Sequence, residues 1–422
     1  MKVVVVGGGS TYTPELIEGV ADRDGILHVD ELVLQDVDAE RLEIVGGLAR
    51  RMLERRDWPG RLVLSTDHDG AFEGADFVLL QIRVGGQATR YVDETLPHRF
   101  GCIGQETTGP GGFAKALRTV PVVLDIAEQA ARRASPDAWI IDFTNPVGIV
   151  TQALVDGGFK SVGLCNVAIG LQRTFAHHLD VSPERVELEH VGLNHLSWER
   201  AIRVDGRDVL PDLLDRESDW LADLVHLPVE LVRALRAVPS YYLRYFYMTA
   251  EVLAEQLNGH SRAEDVIAIE RDLLERYRDP ALTEKPRLLE ERGGAFYSEA
   301  AAQLIAALHS DAGDTQVVNV RNGGAIPDLP ADEIVEIGAR VGADRIEPLP
   351  VAPLGPELLG LVLQHKAYER LAIRAALSGD RSTALLALLA NPLVRDYATA
   401  APLLDALLDA NRRFLPRFFP EG

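Results

Sequence analysis

Hydrophobic and polar positions alternate in two different ways along this chain. Up to about residue 165, short apolar runs are separated by longer stretches with a helical period. Val3–Val6, Glu31–Leu34, Arg61–Leu64, Phe77–Gln81, Trp139–Phe143 and Ser161–Leu164 are predicted to be buried strands. Pro14–Ala21, Ala39–Glu54, Lys115–Arg133 and Val147–Val155 are predicted helices; in the third, Val120, Leu124 and Ala127 recur at helical spacing. Strands that alternate with helices imply a parallel, doubly wound α/β sheet. The segment His98–Gly112 breaks the rhythm with five glycines, Gly101, Gly104, Gly109, Gly111 and Gly112, around Gln105-Glu106-Thr107-Thr108. It is predicted to be a polar loop at the open side of the sheet, where ligands bind in such folds. Beyond residue 165 the pattern changes. Val186–Val191 and Leu196–Val204 predict antiparallel strands, and Glu357–Ser378 and Thr383–Leu389 predict long helices.

The expected organisation is therefore a Rossmann-type doubly wound domain over 1–165, followed by a mixed α+β, helix-rich domain over 166–422. No Pro- or Ser-rich linker marks the boundary, so the two are expected to share an extensive interface. A chain of 422 residues, 47% of them hydrophobic, can bury a core of that size. The formal net charge of −21 argues against nucleic acid and anionic membranes as partners. It leaves room for an anionic small molecule, because a few buried arginines can set the local potential. No run approaches the ~18 apolar residues of a membrane span, and the opening apolar run is too short for a signal segment. Two cysteines, Cys102 and Cys165, cannot build a disulfide framework, and a cytoplasmic enzyme is expected.

Gly7-Gly8-Gly9-Ser10 directly follows the first strand and precedes a helix. Such a turn lets the backbone approach a pyrophosphate at a helix N-terminus. Tyr12 stands where the common fingerprint has its third glycine. Asp36, at the end of the second strand, is placed to bind ribose hydroxyls, which favours NAD over NADP. Gly7, Gly8, Gly9, Ser10, Thr11 and Asp36 are thus candidate cofactor residues.

Cys165-Asn166 ends another strand, and Gly192-Leu193-Asn194-His195 follows about thirty residues later. One thiolate and one imidazole would make an incomplete metal site with positions left for substrate oxygens, which suits catalysis better than structural zinc. Pro239–Tyr247 is rich in tyrosine and could supply a general base, Tyr242 or its neighbour Tyr241, held near a cation such as Arg244. Arg83, Arg90 and Arg262 have the side chain best suited to a phosphate dianion. Each feature alone also has an ordinary structural explanation: a tight turn, a buried thiol, a core imidazole, aromatic packing or a solvated guanidinium.

In order and spacing, the ensemble resembles glycoside hydrolase family 4. The resemblance rests on Gly7–Pro14, Ile82–Gly85 with Arg90, Gly104–Gly112, Thr144-Asn145-Pro146, Cys165-Asn166, Gly192–His195, the Tyr242 segment, Arg262, Asn322-Gly323-Gly324 and Tyr368–Leu371. It implies a fold like that of lactate and malate dehydrogenases, NAD and a divalent metal, usually manganese, as cofactors, and assembly as a homodimer or homotetramer. It implies that Cys165 and His195 hold the metal, that Tyr242 is the base, and that Asn166 acts beside the metal on the sugar. Arg83 would serve the cofactor. Glu106, Asn145, Asn166 and Asn194 would contact the sugar, and Arg90 and Arg262 its 6-phosphate. Asn166 after the cysteine is similar to the branch that cleaves 6-phospho-β-glucosides. Ala168, where a proline often stands, and Tyr241 beside Tyr242 depart from the pattern.

The implied chemistry is oxidation at carbon 3, proton abstraction at carbon 2, loss of the aglycone, addition of water, and return of the hydride. The family is an exception to two-carboxylate glycosidase chemistry. Open alternatives are an NAD-dependent 2-hydroxy acid dehydrogenase, an α-specific or non-phosphorylated glycosidase of the same family, and a non-catalytic NAD sensor.

Overall fold

The structure, a computed structural model, describes residues 1–293 and 296–420. Its centre is a parallel array of six strands: β1 (Lys2–Val6), β2 (Glu31–Gln35), β3 (Arg61–Ser65), β4 (Phe77–Leu80), β5 (Trp139–Asp142) and β6 (Ser161–Gly163). They lie in the order β3-β2-β1-β4-β5-β6, every pair parallel. This is the doubly wound order that the alternation of strands and helices implies.

The apolar runs exist because both faces are covered. Val3, Val5, Leu32, Leu34, Phe77 and Leu79 pack into one cluster. Their neighbours Val4, Val6, Val33, Val78 and Leu80 pack into another, with Val123, Ile126 and Ala127 of the helix Gly109–Arg133. Successive side chains of one strand point to opposite faces, so no residue of these strands is free to be polar until the strand ends.

The sheet does not stop at β6. Seven more strands follow: β7 (Val186–Leu193), β8 (Leu196–Val204), β9 (Arg207–Asp208), β10 (Val238–Pro239), β11 (Asp314–Arg321), β12 (Ile334–Val341) and β13 (Ile346–Pro348). The order continues β6-β11-β12-β7-β8-β10, antiparallel throughout, and the seam is the pairing of Gly163 with Asn319. The helices Arg262–Tyr277 and Tyr297–Ser310 pack back onto Ala39–Arg55 and Thr13–Ala21, and one apolar cluster runs from Val3 to Val362. Beyond residue 165 the chain is mixed and helix-rich as expected, with the long helices at Pro356–Ser378 and Arg381–Ala390.

One segment departs from expectation. Of the predicted loop His98–Gly112, residues 109–112 form the first turn of the helix Gly109–Arg133, with Thr108 as N-cap. The glycines serve close packing rather than looseness. A Cβ at Gly111 would lie 2.3 Å from the carbonyl oxygens of both Asp93 and Gln105.

That helix is anchored by a buried ion pair. Arg118 grips Asp93 through two contacts of 2.9 and 2.5 Å, both side chains wholly inaccessible, and also donates to Val84 O and Asn411 Oδ1. The pair fixes the chain just beyond β4, where Arg83 and Gly85 lie, against the helix and the C-terminal segment. Replacing one partner would leave a charge buried and unpaired. Arg118→Met is expected to cost about 3–5 kcal/mol, read as a lowered denaturation midpoint; a loss below about 1 kcal/mol would mean the pair carries little of the anchoring.

Candidate active site

A cavity of about 1500 Å³ opens beyond the carboxyl ends of β1, β2, β4, β5 and β6. Its lining includes Gly7, Asp36, Ile82, Asn145 and Asn166, each just past a strand end. Open α/β sheets bind ligands at this position.

At one end lies the glycine turn. Gly7 has φ +88°, and a Cβ there would meet Gln81 O at 2.7 Å; at Gly8 it would meet Leu34 Cβ at 2.7 Å. Only glycine lets the chain cross this close to β2 and β4 before it enters the helix Thr13–Ala21. Gly9 N donates to Asp36 Oδ2 at 2.8 Å, so the acidic residue is held at the turn. Gly9 and Ser10 line the cavity. Thr11 is fully buried, its hydroxyl on Glu270 Oε1 at 3.3 Å and its carbonyl accepting Tyr277 Oη at 2.8 Å. Glu270 was not legible as a site residue, yet it also gathers Gln87, Arg292 and Arg41 at 2.8, 2.9 and 3.5 Å over this end.

Further along, cations crowd around one carboxylate. Glu106 accepts from Arg83 and from Lys115 Nζ at 2.8 Å, and forms an ion pair with Arg90 Nε at 3.4 Å. Burial opposes its ionisation, but Arg83, Lys115 and Arg90 outweigh that and hold its carboxyl well below the usual range. Lys115, 2% exposed, is pushed down to about 7, first by burial and then by Arg83, against the pull of Glu106. Arg90 Nε also meets Glu94 Oε1 at 2.7 Å, and Glu94 Oε2 accepts Ser261 Oγ at 2.7 Å and the N–H of Ala263 at 2.8 Å. This bridge brings Arg90 and Arg262 to one region of the cavity, although 172 positions separate them in sequence numbering (262 − 90). Arg262 is half exposed, donating to Glu291 O and pairing with Asp265 at 3.6 Å.

The other wall carries Tyr242 and His195, with the buried Cys165 close to Tyr242. The Tyr242 ring stacks on His195 with centroids 3.7 Å apart and planes 12° apart, and Tyr241 stacks on Tyr242 at 4.3 Å. Cys165 lies close enough that, if ionised, it would oppose ionisation of both tyrosines. His195 adopts φ +62° in the turn between β7 and β8. Its Nδ1 is buried without a hydrogen-bond partner among the described residues, as is Oδ1 of Asn145. Burial lowers His195 to about 4, so its ring is neutral and a lone pair is available. Burial, and then the Glu336 carboxylate, raise the Cys165 thiol; N–H groups of Val167 and Asn166 and the Asn194 amide oppose them.

Among the described residues, no three His, Cys, Asp or Glu side chains gather into a metal-binding group. Cys165 and His195 each lie close to Tyr242, and each has a donor atom to lend a cation: the neutral His195 ring keeps an unpartnered Nδ1 and the thiol its sulfur. Asn166, the N-cap of Val167–His178, faces the cavity. Asn194 instead directs its Nδ2 to Glu336 Oε2 at 2.8 Å. Burial raises Tyr242 well above its ordinary pKa, and Tyr241 adds to the rise. Arg244, expected to ease that ionisation, turns to Glu255 at 2.5 Å and is not among the groups acting on Tyr242.

Residues 2–181 match the profile of "Family 4 glycosyl hydrolase", and residues 190–394 that of "Family 4 glycosyl hydrolase C-terminal domain". A "Probable 6-phospho-beta-glucosidase" of Bacillus subtilis (strain 168) is 42% identical over 99% of this chain and 98% of its own. The structure of the 6-phospho-beta glucosidase from Thermotoga maritima with manganese, NAD+ and glucose-6-phosphate superposes with a TM-score of 0.91 at 36% identity, covering 98% of this chain and 99% of that one. A malate dehydrogenase from Salinibacter ruber, 18% identical with a TM-score of 0.52 and 98% of each chain covered, has the same fold.

The charge cluster has a direct test. Glu106→Gln removes the carboxylate that Arg83, Arg90 and Lys115 surround, and the uncompensated cations are expected to cost about 3 kcal/mol of stability. Because the cavity is open to solution, added phosphate is expected to recover part of the loss by occupying the cations. An unchanged denaturation midpoint without phosphate would contradict this reading.

Proposed function

We propose that this chain, which belongs to the family 4 glycosyl hydrolases, hydrolyses 6-phospho-β-glucosides with the help of NAD+ and a divalent metal, manganese. The observation that carries the reading is the stack of Tyr242 on His195 beside Cys165, in the same cavity as the glycine turn and the arginines. A hydrolase built on two carboxylates would need neither a nucleotide turn nor a thiol.

Each residue then has a task. Gly7, Gly8, Gly9 and Ser10 receive the pyrophosphate at the N-terminus of Thr13–Ala21, and Asp36 receives ribose hydroxyls. Thr11 shapes the turn from beneath through its bond to Glu270, and Arg83 closes over the cofactor while holding Glu106. Cys165 and His195 hold the metal; the orphaned Nδ1 and the N–H groups around the thiol sulfur suit that task. When bound, NAD+ supplies a reversible hydride acceptor at carbon 3, and the metal supplies a Lewis acid for the oxygens of carbons 2 and 3.

Tyr242, rather than the more exposed Tyr241, takes the proton from carbon 2, because its ring lies against His195. Its raised pKa in the protein alone means that the bound metal must supply the positive field that Arg244 does not. Asn145 and Asn166 orient the sugar from the strand ends, and Asn194 acts on it from behind, through the position of Cys165. Glu106 receives sugar hydroxyls, and Arg90 with Arg262 holds the 6-phosphate, whose two negative charges match the paired guanidinium groups.

A homodimer or homotetramer belongs to the same proposal, supported by exposed Leu363, Leu377 and Leu386 on the adjoining helices Pro356–Ser378 and Arg381–Ala390. So does a cytoplasmic location, supported by two free thiols. No helix among the described residues is long and apolar enough to cross a membrane.

Paired nitrophenyl α- and β-glucoside 6-phosphates, with their unphosphorylated counterparts, test the proposal. The β-phosphate is expected to be cleaved only with NAD+ and manganese, to stop on chelation and resume on manganese addition. Plain glucosides are expected to react about 1000-fold more slowly, as sites built for a polar group reject analogues that lack it. Net NADH in step with product would instead indicate a dehydrogenase. Preference for the α-anomer would contradict the β assignment, and no turnover at all would favour a sensor.

A further inference from the structure

Oxidising an alcohol by hydride transfer also frees the hydroxyl proton, and some group must accept it. Tyr242 is assigned to carbon 2, and the lone pair of His195 to the metal. Glu106 is held strongly ionised by three cations, which makes it a poor base. Asp93 is wholly buried in its pair with Arg118. His98 is bonded to Gln256 at 3.1 Å, and His260 is exposed at the outer rim.

Lys115 is different. It sits in the second turn of Gly109–Arg133, 2% exposed, lining the cavity, and its amine donates to Glu106 Oε2 at 2.8 Å. Charged groups face it from three elements: Arg83 beyond β4, Asp93 of the helix Gly86–Thr95, and Glu106 of the preceding loop. Through Glu106 it adjoins Arg90, so on the proposed reading it lies at the sugar end of the cavity rather than the adenine end.

We propose that Lys115 accepts the hydroxyl proton of carbon 3 when that carbon is oxidised, and returns it when the carbon is reduced. This rests on the redox reading above. In the forward step the O–H bond breaks and its proton joins the neutral amine, while the C–H bond of the same carbon delivers hydride to NAD+. The oxygen keeps the electron pair that becomes the second bond of the ketone. In the last step the ammonium gives its proton back to that oxygen as hydride returns, so nothing is consumed. Glu106 stabilises the ammonium while it exists, and the amine is near half-neutral at pH 7, which suits a reversible proton store.

The test compares wild type with Lys115→Met, which keeps length without charge, and Lys115→Arg, which keeps charge without basicity. Reduced nicotinamide is followed by absorbance in a single turnover of nitrophenyl β-glucoside 6-phosphate with NAD+ and manganese, with NAD affinity and melting temperature checking the fold. Both variants are expected to oxidise the sugar at least about 100-fold more slowly. Because Lys115 must be neutral to act, wild-type kcat/KM is expected to fall as pH drops below about 7, and both variants to lose that limb. Wild-type speed in Lys115→Arg would make the residue a mere charge. A raised KM with intact oxidation in Lys115→Met would make it a phosphate ligand. Either result overturns the proposal. If neither variant folds, the wild-type profile still decides, because a flat kcat/KM between pH ~6 and ~8 overturns it as well. Wild type that releases sugar without NAD+ would remove the underlying reading; normal NAD+ dependence with unimpaired variants would remove only the role of Lys115.

Discussion

A single buried carboxylate, Glu336 of β12, joins the two halves of this sheet at the point where the chemistry is done. It accepts from His190 Nε2 at 2.9 Å, Asn194 Nδ2 at 2.8 Å and Asn319 Nδ2 at 2.9 Å. His190 and Asn194 belong to β7 and its turn, and Asn319 to β11, where it pairs with Gly163 of β6. Burial favours a neutral His190, but Glu199 on one side and Glu336 on the other outweigh it and hold the ring up at about 10 as a cation. A buried ion of this kind is tolerable only when every partner is in place. The register of β6, β7, β11 and β12 is therefore fixed beside Cys165 and His195, two residues past Gly163 and one past Asn194.

The same cavity uses charge in two ways. Around Glu106, Arg83, Arg90 and Lys115 gather at one place in a chain of net charge −21. Near Tyr242, burial suppresses ionisation of both that tyrosine and Cys165, and Tyr241 adds to the effect on Tyr242. On the proposed reading, a bound metal cation would bring these groups into play. The enzyme's acid–base chemistry thus depends on metal and substrate arriving together, and metal binding should release the thiol proton.

Much of this was legible in the sequence, for identifiable reasons. Strands buried on both faces read as unbroken apolar runs, and β1 to β6 followed within a residue or two. The glycine turn, Asp36, Cys165 and His195 stand next to strand ends, so their meaning is local. What stayed hidden depends on groups distant in the chain. Glu336 lies 146 residues from His190, and Glu270 lies 183 from Gln87. Lys115 read as one polar position of a helix, because its significance comes from burial and from a carboxylate in the preceding loop. The glycines at 109–112 looked like a loop and proved to be a close helix crossing. Arg244, adjacent in sequence to the tyrosines, turns to Glu255; its charge eases ionisation of Tyr245 and is not among the main influences on Tyr242.

The central claim is that the glycosidic bond breaks by redox and elimination, which requires the bond between carbon 2 and its hydrogen to be broken in every turnover. A glycosidase working by direct displacement never touches that hydrogen. Wild-type enzyme acting on a 6-phospho-β-glucoside in deuterated water, with NAD+ and manganese, tests this most directly through the isotopic content of the released sugar phosphate. Deuterium at carbon 2 is the predicted result. A product that retains its hydrogen there would contradict the account.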